Sequence, residues 1–70
     1  MFQEITPGIY QHFKGNKYEV LGVGTDTERT SVRYAIYKDV STGEIWIRRI
    51  EKFLETVEVD GETKPRFEKL

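Results

Sequence analysis

The stretch Ile9-Tyr10-Gln11-His12-Phe13-Lys14-Gly15-Asn16-Lys17-Tyr18-Glu19-Val20 decides the fold class. Ile9, Gln11 and Phe13 alternate with Tyr10, His12 and Lys14, the two-residue period of a strand. Gly15-Asn16 then suits a two-residue hairpin turn, because Gly accepts positive φ without steric cost. Lys17 to Val23 reads as the returning strand. Such a turn sets Phe13 opposite Tyr18, Gln11 opposite Val20 and His12 opposite Glu19. Ile9, Phe13, Tyr18 and Val20 then form the expected core face.

Working outward, Met1 to Pro7 reads as a lead-in. Gly22-Val23-Gly24 marks a bend or bulge, and Gly24 to Thr30 a polar loop. Ser31 to Tyr37 alternates again, with Val32, Tyr34 and Ile36 on one side and Arg33, Ala35 and Tyr37 on the other. After a turn at Lys38 to Gly43, Glu44 to Arg49 forms a further strand. A four-residue loop at Val40–Gly43 places Ile45 and Ile47 with Val32, Tyr34 and Ile36, and a loop one residue shorter or longer places Trp46 and Arg48 there. The hydrophobic pattern favours the four-residue loop. Ile50 to Thr56 is rich in helix formers and predicts one or two helical turns. Val57, Val59, Asp60-Gly61 and Pro65 to Leu70 predict a last short strand pair. The expectation is an all-β fold: a small SH3-like barrel or roll of about five strands, with one short helical segment near residues 50–56. It forms a single domain over residues 1–70.

Seventy residues leave little room for a core, so the nine aromatic rings must supply most of the burial. Phe2, Tyr10, Phe13, Tyr18, Tyr34, Tyr37, Trp46, Phe53 and Phe67 are therefore core by default. The chain holds no cysteine, which excludes disulfides, thiolate catalysis and Cys-type zinc sites. Eleven basic residues against twelve acidic ones argue against a phosphate-driven nucleic-acid binder. No apolar run is long enough to span a bilayer, and no signal-peptide core is visible, so the expected location is the cytoplasm.

The words Tyr10-Gln11-His12-Phe13-Lys14-Gly15 and Tyr18-Glu19-Val20-Leu21-Gly22 are recognisable in sequence. So are Asp26-Thr27-Glu28, Val32-Arg33-Tyr34, Ile36-Tyr37, Trp46-Ile47-Arg48, Phe53-Leu54-Glu55 and Pro65-Arg66-Phe67. Together, and in this order, they resemble a bacterial family catalogued as domain of unknown function 1653. The resemblance covers nearly the whole chain and implies an SH3-like fold, with no assigned biochemistry. Arg49 stands where that family commonly has Pro, and Asp26 where it often has His.

Candidate chemistry is sparse. His12 is the only histidine, and the expected hairpin pairs it with Glu19, either as a general base or as a surface ion pair. Ser31 and Ser41 sit at a strand start and in a turn, which makes a catalytic triad a poor fit. Asp26-Thr27-Glu28 offers too few oxygens for a hard cation and is better explained by hydrogen bonds within its loop. Gly22-Val23-Gly24 lacks the remainder of any phosphate-binding fingerprint, so no cofactor and no metal are expected. What stands out is aromatic plus Arg: Tyr10, His12, Trp46, Arg48 and Arg66. Flat rings beside a guanidinium suit a protein segment or a small anionic ligand. The sequence is compatible with a monomer or a small homo-oligomer assembled by strand-edge pairing.

Overall fold

The first hairpin forms, and its turn decides which side chains are buried. The computed structural model describes residues 5–70, so Phe2 and the start of the lead-in lie outside the described residues. The His12 N–H donates to the Asn16 carbonyl at 2.8 Å, and the Gly15 N–H to the His12 carbonyl at 2.7 Å. The loop is thus Phe13-Lys14-Gly15, a three-residue hairpin closed by Gly15 at φ 108°. Strands β1 (Gly8–His12) and β2 (Lys17–Thr25) consequently pair Tyr10 with Tyr18 and Ile9 with Glu19.

This corrects the register expected from a two-residue turn, in which Phe13 faced Tyr18. The displacement is three residues (13 − 10), and an odd displacement exchanges faces. Tyr10 and His12 therefore join Tyr18 and Val20 on the inner face, while Ile9 and Phe13 are each 38% exposed. Glu19 goes to the outer face, away from His12, and forms an ion pair with Lys38 at 3.5 Å.

Strand β3 (Arg33–Asp39) pairs with β2, and the ladder slips between Val20 and Gly22. That bulge is the irregularity the glycine pair predicts. β4 (Ile45–Arg49) pairs with β3 through Tyr37–Trp46 and Ile36–Ile47, the register of the four-residue loop. Asp39 holds that loop, its Oδ1 accepting from the Ser41 and Thr42 N–H groups and the Ser41 hydroxyl. The buried side of this hairpin carries Ala35 and Tyr37, whereas Ile45 and Ile47 are 53% and 63% exposed.

One helical turn follows, α1 (Ile50–Phe53), which sends Ile50 and Phe53 into the core. Next comes a hairpin of β5 (Thr56–Val59) and β6 (Glu62–Pro65). Its turn is Asp60-Gly61 with φ of 52° and 79°, the paired positive values that match the twist of a two-residue hairpin. Finally β7 (Phe67–Lys69) returns to pair with β1, setting Phe67 beside His12. The main sheet runs β4-β3-β2-β1-β7 and the second sheet is β5-β6. The fold is all-β as expected; among the described residues it has seven strands rather than about five, and the main sheet stays open instead of closing into a barrel.

The core is Ile5, Tyr10, Val20, Ala35, Tyr37, Ile50, Phe53 and Phe67. Phe53 sits at its centre, 1% exposed, stacked on Phe67 at 4.3 Å and edge-on to Tyr10 at 5.5 Å. Phe→Ala in such a site costs about 3–5 kcal/mol. A chain of this size is stable by only about 4–10 kcal/mol in total. Phe53→Ala is therefore expected to lose most of its cooperative urea transition. Leu21→Ala, at a site 46% exposed, should shift stability by less than about 1 kcal/mol. Urea denaturation of the two variants tests this contrast.

Candidate functional site

The inner face of the sheet is tiled with rings because consecutive ladder rows place them side by side. Tyr18 meets Tyr37 edge-on at 5.4 Å and Phe67 at 5.7 Å, and Tyr37 meets Phe67 at 5.6 Å. His12 lies edge-on to Phe67 at 5.0 Å. Above these rings is a cavity of about 210 Å³ lined by His12, Tyr18, Tyr37, Trp46, Arg48 and Phe67. Trp46 forms one wall, paired with Tyr37 and 46% exposed. Arg48 is paired with Ala35, whose methyl group leaves room for a longer side chain. Its guanidinium carbon stands 5.9 Å from the centre of the Phe67 ring.

Of the five residues expected at a site, the structure brings three together here: His12, Trp46 and Arg48. Tyr10 and Arg66 stand apart. The Tyr10 ring is 7% exposed and its hydroxyl donates to the Thr6 carbonyl at 2.8 Å. Arg66 Nη2 donates to Glu55 Oε1 at 2.8 Å, and its backbone bridges Glu55 and Phe13. Its Nε is buried without a partner among the described residues. Tyr18, Tyr37 and Phe67 complete the cavity. The sequence marked them as aromatic core, and only the correct hairpin register shows that they also face His12.

The cavity is electropositive. No Asp or Glu lines it, and among the described residues no carboxylate lies within ion-pair distance of Arg48. His12 Nδ1 accepts from the Lys14 N–H at 3.1 Å, so the neutral ring carries its proton on Nε2. Burial lowers the His12 pKa below its ordinary value, and the positive charges of Arg66, Lys14 and Arg48 push it the same way. Neither carboxylate considered from the sequence partners His12: Glu19 occupies the other face, and Asp26 is committed to its loop. Asp26 Oδ1 accepts from the Glu28 and Arg29 N–H groups, and Oδ2 from the Tyr34 hydroxyl. Those backbone hydrogen bonds, that of Glu28 first, hold the Asp26 pKa below the usual carboxylate value.

A larger cavity of about 380 Å³ lies on the other side of His12, between Gln11, Phe13, Val59 and Lys64. It contains Glu68 as well as Lys64 and so lacks the excess of one charge.

The profile of a family described as a protein of unknown function, DUF1653, matches residues 8–69. The chain belongs to the DUF1653 family. A crystal structure of a DUF1653 protein from Bordetella bronchiseptica is similar over 100% of this chain and 92% of that one. The TM-score is 0.86 and the identity 26%. No curated protein matches the sequence. No helix of this DUF1653 chain, among the described residues, is long and apolar enough to cross a membrane.

The lowered His12 pKa carries a stability signature. Between the folded value and the ordinary 6.5, the unfolded chain binds more protons, so stability rises with pH across that window. Stability is accordingly lost as pH falls through the ordinary histidine value toward the lower folded one. His12→Gln should flatten this dependence. Denaturation midpoints of both proteins across that range are the measurement.

Proposed function

We propose that this protein is a small binding module, whose cavity between His12, Trp46 and Arg48 takes a carboxylate presented by a protein segment or a small anionic ligand. The observation that carries the reading is Arg48, a guanidinium held over an aromatic floor with no acidic residue lining the cavity. A guanidinium offers a rigid fork of donors to a carboxylate, and flat rings cover the carbon atoms next to it. Size supports the same reading. At about 210 Å³ the cavity falls below the roughly 300–1,000 Å³ of sites for drug-sized ligands and cofactors, and suits one side chain or a chain terminus. The balanced charge of 11 basic and 12 acidic residues favours a compact anion over a nucleic-acid backbone.

The test is an NMR titration with acidic peptides and with small aromatic carboxylates, following the His12 ring and the Trp46 indole N–H. Binding should shift both signals and raise the His12 pKa, since an incoming carboxylate offsets the surrounding positive charge. Trp46→Ala and Arg48→Ala are expected to weaken binding at least about tenfold. Circular dichroism should show both variants folded, because neither side chain belongs to the buried core. Loss of folding in both would make these residues structural and overturn the reading.

A further inference from the structure

β4 is an outer strand of the main sheet, and among the described residues nothing pairs with its far side. Soluble proteins blunt such edges with Pro, a bulge or charged side chains, Lys above all. β4 has no Pro, Lys or bulge, and its first three residues, Ile45, Trp46 and Ile47, carry no charge and are 53%, 46% and 63% exposed. Its charges, Arg48 and Arg49, are confined to one end.

The free side of β4 is also ordered for pairing. The Asp39 N–H donates to the Glu44 carbonyl at 2.8 Å, which makes Asp39–Glu44 a hydrogen-bonded pair. Antiparallel ladders alternate, so Tyr37–Trp46 and Ala35–Arg48 are hydrogen-bonded pairs too. The backbone N–H and C=O groups of Ile45 and Ile47 consequently point away from β3, toward the open edge.

The segment Glu44-Ile45-Trp46-Ile47-Arg48 reads chemically the same in both directions except for its charge, which reverses. We propose that β4 pairs antiparallel with β4 of a second copy of this chain, about a two-fold axis at Trp46. In that register Ile45 exchanges both backbone hydrogen bonds with the partner's Ile47. Trp46 lies opposite the partner's Trp46 in a non-hydrogen-bonded pair, where side chains come closest. Glu44 lies opposite the partner's Arg48 on the inner face, and Ile45 covers the partner's Ile47 on the outer face. Every cross-strand pair is one that stabilises a sheet: opposite charges, two aromatics, or two β-branched chains. Moving the axis by one residue to Ile47 sets Trp46 opposite the partner's Arg48 and Ile45 opposite the partner's Arg49, and leaves Glu44 without a facing base. Charge complementarity therefore selects the axis at Trp46. Two such sheets become one continuous sheet, and the isologous contact closes without leaving β4 free. The guanidinium of Arg48 has five donors, enough to serve the partner's Glu44 on one edge and the cavity on the other. The inference stands whether or not the cavity binds a carboxylate.

A five-residue strand pair buries less than the roughly 800 Å² per partner of a standard interface, so the expected affinity is micromolar. Sedimentation equilibrium should show a reversible shift from 8.2 kDa to twice that mass with concentration. Glu44→Arg and Arg48→Glu should each weaken association about tenfold or more, because each alters two symmetric contacts. The double exchange should restore it, which a general surface effect of either substitution would not do. The cysteine-free chain allows a register test. Trp46→Cys should form a disulfide-linked dimer, its two Cα atoms being about 4.5 Å apart, while Ile47→Cys should not. A chain that stays at 8.2 kDa at about 1 mM protomer would falsify the dimer. Failure of the double exchange to restore association in a folded protein, or equal crosslinking at both positions, would overturn this register.

Discussion

The stack of Phe53 on Phe67, 4.3 Å apart with planes 6° from parallel, is the contact on which the rest of the structure depends. Among the described residues the main sheet has two open edges, so hydrogen bonding alone does not fix its curvature. Phe53 comes from the single helical turn that follows β4, and Phe67 from the strand at the opposite edge. Their stack holds the two ends of the sheet toward each other over Tyr10 and Tyr37. A closed barrel would obtain the same curvature from its ladder. Here it comes from aromatic packing, which is why so small a chain spends so many rings on one face.

The same arrangement explains the site. Phe67 stacks on Phe53 below and meets Arg48 and His12 above. Tyr18 and Tyr37 likewise touch the core and line the cavity. Core and site share rings, so the cavity floor is as rigid as the core. Its polar groups have fewer contacts: His12 is held by the Lys14 N–H and the edge of Phe67, and Arg48 by its place over the Phe67 ring. Charge around the cavity follows the chain in the same manner: Lys14 comes from the first turn, Arg48 from β4, and Arg66 from the residue before β7.

Much of this was legible in the sequence, for identifiable reasons. Period-two alternation located the strands, Asp60-Gly61 marked a hairpin turn, and the helix formers after Ile50 marked the helical turn. The family words anticipated the DUF1653 match. What failed was parity. Gly15 can close a two-residue or a three-residue loop, and local preference does not separate them. The three-residue form prevails because it turns Tyr10 inward to Phe53, a contact 43 residues away in the chain (53 − 10). With the faces of β1 exchanged, the expected His12–Glu19 pair disappears, whereas Trp46 keeps the register expected for β4. The return of β7 to β1 was illegible for the same reason, since a three-residue strand has too short a pattern to announce its partner.

The β1–β7 pairing has a further consequence, one of timing. His12 and Phe67 are 55 residues apart (67 − 12), so their ladder closes almost the whole chain into a loop, an entropic cost that local hairpins avoid. The β1–β2 and β3–β4 hairpins can form as soon as they are synthesised, but the inner faces of both wait for Phe53 and Phe67 to cover them. On the ribosome, the core cannot be completed until Phe67 has cleared the exit tunnel. Until then the nascent chain carries two preformed hairpins with wet aromatic faces, the state in which it most needs shielding from its neighbours.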